Sequence, residues 1–263
     1  MLKTRNKMVV FFVIGVGSLI GMVRGDSFAI PKAAVPSFIG QAVATLLVSV
    51  AYLGSVQFIP VGLAVIIFYF APVLVMFLAP VAEGKHPGAL RIMIAFIAFC
   101  GLAIAVGPNF DVLDIRGIAM AGAAAVGMAL QFFSGRALSQ YMPPSAFGSL
   151  VHMAILLPVL AIALYAGGGN IHFLRQGTAT AIGIYAMMGV AGVYLFAYFG
   201  QMLALRFAPA STVAPFFNVE PVVTITVAAT LLGERMAVSQ YVGGAVVLAA
   251  LIASSLVSRK PTA

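Results

Sequence analysis

The sequence predicts an all-α integral membrane protein with about nine transmembrane helices. Three observations predict it. Of 263 residues, 63% are hydrophobic and only 8% charged, against roughly 45–50% apolar and about 25% charged in a soluble domain. The apolar residues fall into nine runs close to the roughly 20 residues that a bilayer-spanning helix needs. The basic residues stand singly at the ends of those runs, as they do in short membrane loops, so the net charge of +8 is no nucleic-acid footprint. Trp is absent, which leaves the interfacial aromatic role to 8 Tyr and part of the 20 Phe.

The runs, in order, are Met8–Met22, Val35–Gln57, Val61–Ala82, Gly88–Val106, Gly117–Gln131 continuing to Gly135, Phe147–Tyr165, Ala179–Leu205, Ala210–Leu232 and Tyr241–Val257. The first follows Lys3, Arg5 and Lys7 and also fits a signal-peptide core, although Val23-Arg24-Gly25 stands where a small-x-small cleavage site would be. The third and eighth open on Pro60 and Pro209, where proline is well tolerated. Between runs lie turn formers such as Gly25-Asp26-Ser27, Glu83-Gly84-Lys85-His86-Pro87, Gly107-Pro108-Asn109, Met142-Pro143-Pro144 and Gly167-Gly168-Gly169-Asn170. No loop is long enough for a soluble domain. Cys100 lies inside an apolar run and reads as a packing residue. With the C-terminus in the cytoplasm, eight Lys and Arg face inward and six outward, and three of those six are Lys3, Arg5 and Lys7. The expected location is therefore the plasma membrane, multi-pass, with a cytoplasmic C-terminus.

Sliding the chain on itself by 149 residues aligns Gly40 with Gly189, Leu46 with Leu195, Phe58 with Phe207, Pro60 with Pro209, Pro72 with Pro221, Val73 with Val222 and Gly84 with Gly233. Two prolines twelve apart inside hydrophobic runs of both halves carry most of that signal. The shift crosses five runs, an odd number, so the halves face opposite ways: an inverted repeat, an architecture common among secondary transporters.

The stretches Phe207-Ala208-Pro209-Ala210-Ser211, Glu220-Pro221-Val222, Leu231-Leu232-Gly233-Glu234 and Gly243-Gly244, with Asp114-Ile115-Arg116-Gly117 as an opening, resemble the second repeat of EamA-type members of the drug/metabolite transporter superfamily. The resemblance covers nearly the whole chain. It implies two repeats, residues 1–110 with four helices and 111–263 with five, in a ten-helix inverted-repeat fold whose first helix is lacking. The register places the start of that helix about 30 residues before Met1. Members move amino acids, nucleotide-like metabolites or drugs, often outward. The partners implied are a small-molecule substrate, a coupling proton, the lipid bilayer and a second copy of the chain as a homodimer, with no nucleic acid; no cofactor is implied.

Glu220 is the first candidate site residue. It lies deep in the eighth run, where a carboxylate costs roughly 2.5–3.5 kcal/mol on insertion scales and should face protein or water. Pro221 frees a carbonyl one turn back, so the acid stands beside a loosened backbone that can hold an ammonium group or a coupling proton. The alternative is a protonated structural acid at the repeat interface, and its counterpart in the first half is Ala71. Asn218, Thr224, Tyr69, Gln131 and Gln201 complete the expected substrate- or proton-binding set, each weighed against an interhelical hydrogen bond worth roughly 0.6 kcal/mol. Thr224 shares the Glu220 helix face and Tyr69 is the counterpart of Asn218. Pro72 and Pro221 are the expected hinges. His152 reads as a capped or interfacial histidine, and Gly122, Gly127 and Gly243-Gly244 as sites of close helix packing. No zinc-type His/Cys spacing, Gly-rich phosphate loop with Lys or Ser/His/Asp constellation is present, which argues against a pump or an enzyme. The expected function is gradient-driven transport of a small polar or amphipathic metabolite; the alternative is a non-transporting partner or receptor on the same scaffold.

Overall fold

The computed structural model describes residues 14–82, 88–107, 113–166, 181–220, 222–223, 226 and 237–258. The described residues form helices joined by short turns and irregular segments and contain no strand. The helices are α1 (Ile14–Arg24), α2 (Val35–Ser55), α3 (Val61–Phe68), α4 (Ala71–Ala82), α5 (Ala89–Val106), α6 (Ile115–Leu138), α7 (Pro144–Ala166), α8 (Ala181–Phe207), α9 (Ala210–Val213) and α10 (Val238–Ser258), with 3-10 turns at Lys32–Ala34 and Ala214–Asn218. Five spans among the described residues are long and apolar enough to cross a membrane: Lys32–Ser55, Val61–Ala79, Ala89–Val106, Ile115–Leu138 and Pro144–Ile162. This is an all-α membrane protein, because only helices or closed barrels satisfy backbone groups within lipid.

Two predicted helices are broken. The third run divides into α3 and α4 at Tyr69-Phe70. Pro72 has no N–H to return to the Phe68 carbonyl, so the ladder fails one turn before the proline. It is replaced by tighter bonds from Phe70 N–H to the Ile67 carbonyl (3.2 Å) and Val73 N–H to the Phe70 carbonyl (3.0 Å). The eighth run does not continue past α9 as an α-helix either. Pro215 falls at the start of the 3-10 turn Ala214–Asn218, after which Val219 and Glu220 are helical again. Pro221, Thr224 and most of the rest of that run lie outside the described residues.

The chain divides into two compact units, and each draws helices from both halves of the sequence. The first unit comprises residues 1–50 and 133–207. In it Arg136, near the end of α6, donates from Nη1 to the carbonyls of Leu205 (2.7 Å) and Arg206 (2.8 Å) at the end of α8, where a cation meets the negative end of the helix dipole. The Ser145 hydroxyl at the start of α7 bonds the Asp26 carboxylate and ties down the segment after α1.

The second unit comprises residues 51–132 and 208–263. Its tightest crossing joins α5 and α10. A Cβ at Gly243 would collide with the backbone of Gly101 and Ala105, and one at Gly101 would meet the Gly243 carbonyl at 3.0 Å, so these helices touch backbone to backbone, as small residues permit in membranes. Gly243 is thus a packing glycine. Gly122 is not: nothing lies within 4 Å of its would-be Cβ, and it lines an apolar cavity instead. Asp114 caps α6, accepting the Arg116 backbone N–H at 2.8 Å. Side-chain and backbone hydrogen bonds from Arg116 hold the Asp114 carboxyl below the usual carboxylate range.

Candidate functional site

The break between α3 and α4 and the 3-10 turn after α9 belong to the same unit and pack together. In the repeat register Tyr69 and Asn218 are equivalent, and each lies in the irregular stretch of its own half. Helical regularity therefore fails at corresponding places, which is the arrangement expected at the binding site of an inverted-repeat carrier.

Glu220 stands two residues beyond the 3-10 turn and is exposed. The Tyr69 hydroxyl, supplied by the break in the other half, donates a hydrogen bond to its carboxylate. Tyr52, near the end of α2, is within electrostatic reach of the same group and makes a tilted ring contact with Phe68, with centroids 4.9 Å apart. An accessible carboxylate within a hydrophobic span requires water or a polar ligand rather than an acyl chain beside it. Asn218 is completely buried, yet neither its amide nitrogen nor its oxygen has a hydrogen-bond partner. Each such group costs about 1–3 kcal/mol. Phe132 packs edge-on against the neighbouring Phe217, with centroids 4.9 Å apart.

Of the sequence-predicted set, the structure brings Tyr69 onto Glu220 and places Asn218 two residues away on the same segment. Gln131 is buried on α6 in the second unit, and Gln201 is buried on α8 in the first. Thr224 and Pro221 fall outside the described residues; Pro72 is buried two residues past the α3–α4 break. His152 is not interfacial. It is 1% exposed, its Nδ1 donating to the Gly148 carbonyl at 2.7 Å and its Nε2 lying 3.2 Å from the Tyr194 hydroxyl. Since a carbonyl only accepts, Nδ1 carries a proton.

Sequence reasoning missed Tyr52, the repeat counterpart of Gln201; that equivalence was the available signal. It also missed the buried Gln41, an amide inside the second apolar run. The cavity of about 400 Å³ in the second unit, lined by Ile66, Ile67, Phe70, Leu74, Phe99 and Gly122 among others, offers no polar side chain and does not include Glu220. Among the described residues no group of His, Cys, Asp and Glu could hold a metal ion.

A family model described as the EamA-like transporter family matches residues 115–256, more than half of the chain. The chain is 26% identical over 210 residues to the threonine/homoserine exporter RhtA of Escherichia coli strain K12, covering 78% of this chain and 66% of that protein. It matches the protein of the same name from Escherichia coli O157:H7 to the same extent. The match thus spans a little under two thirds of the length of these curated relatives. A solved crystal structure superimposes with a TM-score of 0.80 at 13% identity, covering 98% of this chain and 89% of that one; at that identity the likeness shows the fold.

Proposed function

The chain belongs to the EamA-like transporter family, and from that premise we propose that it exports a small amino-acid-like metabolite across the plasma membrane by alternating access, its C-terminus in the cytoplasm. The observation that carries this reading is the accessible Glu220 carboxylate on a broken span, held by the Tyr69 hydroxyl from the equivalent break. A carboxylate so placed accepts either the ammonium group of the solute or a coupling proton. Exchange of one for the other at a single acid couples outward solute movement to inward proton movement. Asn218 supplies a vacant donor and a vacant acceptor beside it, which suits a hydroxyl group that needs one of each. The E. coli relatives are named for threonine and homoserine, and both are hydroxylated amino acids. The breaks at Tyr69-Phe70 and Ala214–Asn218, next to Pro72 and Pro221, are where the two segments bend as access alternates.

The test is flux in proteoliposomes with L-threonine and L-homoserine in a metabolite panel, with and without a pH gradient. Wild-type protein is expected to show gradient-driven flux of an amino acid. Glu220→Gln should fold normally and lose flux roughly ten- to hundredfold, the worth of a hydrogen bond to a charged group. A Gln variant that transports at the wild-type rate with and without the pH gradient would make the acid structural.

A further inference from the structure

We propose that the apolar cavity of the second unit is a lipid site, in which one acyl chain of a membrane lipid seats against the back of the break between α3 and α4. The site lies apart from Glu220, and its assignment does not depend on the carrier reading.

The cavity, of about 400 Å³, lies among α3, α4, α5 and α6 and is lined by Ile67, Phe70, Leu74, Phe99, Gly122 and Val126 among others. No lining side chain is polar. An ordered water needs about two to four polar partners, and an amino-acid-like solute carries charges that these walls would leave unmet. The chemistry of the lining therefore selects an apolar occupant. An apolar cavity of about 150 Å³ already takes up a benzene-sized molecule, so this one has room for a length of hydrocarbon chain. Gly122 leaves much of that room, since nothing lies within 4 Å of its would-be Cβ. Phe70 and Phe99 form a wall, edge-on with ring centroids 5.2 Å apart.

The occupant is a lipid chain because the cavity is continuous with the lipid-facing surface. Its walls belong to the spans Val61–Ala79, Ala89–Val106 and Ile115–Leu138, so hydrocarbon is the solvent outside it. Val126, which lines the cavity from α6, is itself exposed. On α4, Leu78 is exposed one turn beyond the lining residue Leu74. On α5, Phe96 is exposed and touches the lining residue Phe99, with centroids 6.4 Å apart. A chain that crosses this rim passes from one apolar medium to another, so hydration neither drives nor opposes entry. What it gains is dispersion contact with walls that otherwise lack partner atoms. The position bears on the break, because consecutive residues there serve different partners. Tyr69 donates to Glu220, whereas Phe70 lines the cavity. A seated chain thus supports the segment that holds the acid, from the side away from the acid.

The chain contains no Trp, so a single introduced Trp is its sole indole fluorophore. The full chain is reconstituted in vesicles of phosphatidylcholine with brominated acyl chains, and emission is compared with that in the unbrominated lipid. Bromine quenches indole only near van der Waals contact. Phe99→Trp reports from the cavity, and Phe96→Trp from the exposed surface beside it. Both should be quenched to a similar extent. Adding Gly122→Leu puts a side chain where the lipid chain would sit, and leucine is a better helix former than glycine, which favours folding. It should cut quenching of the Phe99→Trp reporter about threefold or more, since short-range contact is lost, and leave that of Phe96→Trp unchanged. Leu74→Trp repeats the test from α4 should Phe99→Trp fail to fold. A cavity reporter that escapes quenching while Phe96→Trp is quenched overturns the proposal, because protein then closes the cavity, a second copy of the chain included. Quenching that Gly122→Leu leaves unchanged overturns it too, because the reporter then meets the surrounding bilayer and no seated chain. No transport is measured, so failure of the carrier reading and failure of this proposal are separate results.

Discussion

The two broken spans of the second unit share a backbone plan and differ in chemistry. Each opens on a proline in extended conformation, Pro60 at φ −55° and ψ 142° and Pro209 at φ −65° and ψ 155°. Each loses α-helical regularity about a turn before a second proline, at Tyr69-Phe70 and over Ala214–Asn218. The side chains then diverge. Where the first half has Tyr69 and Ala71, the second has Asn218 and Glu220. Ala71 is 1% exposed and packed, whereas Glu220 is exposed. The duplicated part is the means of breaking a helix inside a membrane; the part not duplicated is the charge. A carrier has one solute to grip, so a single acid with a hydroxyl from the opposite half is enough, and a second acid at membrane depth would add roughly 2.5–3.5 kcal/mol of insertion cost.

The comparison is sharpened most by Asn218. Leucine at this position has much the same shape and removes both unpaired amide groups. If those groups exist for the solute, Asn218→Leu should keep or raise the thermal melting temperature, since about 1–3 kcal/mol per orphaned group is relieved. Transport should meanwhile fall roughly ten- to hundredfold, the sum of two such hydrogen bonds. A drop in melting temperature with an unchanged rate per folded molecule would instead make Asn218 a packing residue.

A smaller effect is expected at Tyr69. Tyr69→Phe keeps the ring, which contacts Phe68 edge-on with centroids 5.4 Å apart, and deletes the hydroxyl that bonds Glu220. Because Glu220 is exposed, water replaces part of that bond. The loss in kcat/KM should be about five- to tenfold, near the lower end for a hydrogen bond to a charge. No loss would mean that the contact between the two halves does not matter to the acid.

Much of this was legible in the sequence because membrane spans are long, apolar and punctuated. The runs, their opening prolines, the deep acid and Gly243 all follow from composition and spacing. Pro72 is the expected hinge of the third run, and the break lies just before it, at Tyr69-Phe70, because a proline orphans the carbonyl four residues before itself rather than its own. The partner of Gly243 was not legible: Gly101 sits in a run of small and large apolar residues with nothing to mark the crossing. Gln41 was missed for a similar reason. An amide inside an apolar run has no periodicity, and its partners Ser134, Tyr198 and Met202 are about 90 or more residues distant in sequence.

The smallest effect concerns the hinge itself, and it tests whether the shared backbone plan serves movement or only shape. Pro72 occupies the second position of α4, where its ring fits, and its absent N–H leaves the Phe68 carbonyl without an α-helical donor. Pro72→Ala restores that donor and permits one continuous helix from Val61 to Ala82. The two effects on stability oppose each other. Alanine allows the extra hydrogen bond, but it frees the unfolded chain by about 0.4–1 kcal/mol of conformational entropy. The melting temperature should therefore barely move. Transport is a different matter. If the segment bends during the cycle, a span with a complete ladder must break a hydrogen bond that proline never formed, at a net cost of about 0.5–1.5 kcal/mol. The maximal rate should fall about two- to tenfold while the KM for the solute stays within error, because Tyr69 and the rest of the binding residues keep their places. A KM that rises with an unchanged maximal rate would show that Pro72 positions Tyr69 rather than easing a motion. Unchanged values of both would reduce the proline to a matter of shape, and the matched breaks of the two halves would then mark how the fold was duplicated, not how it moves.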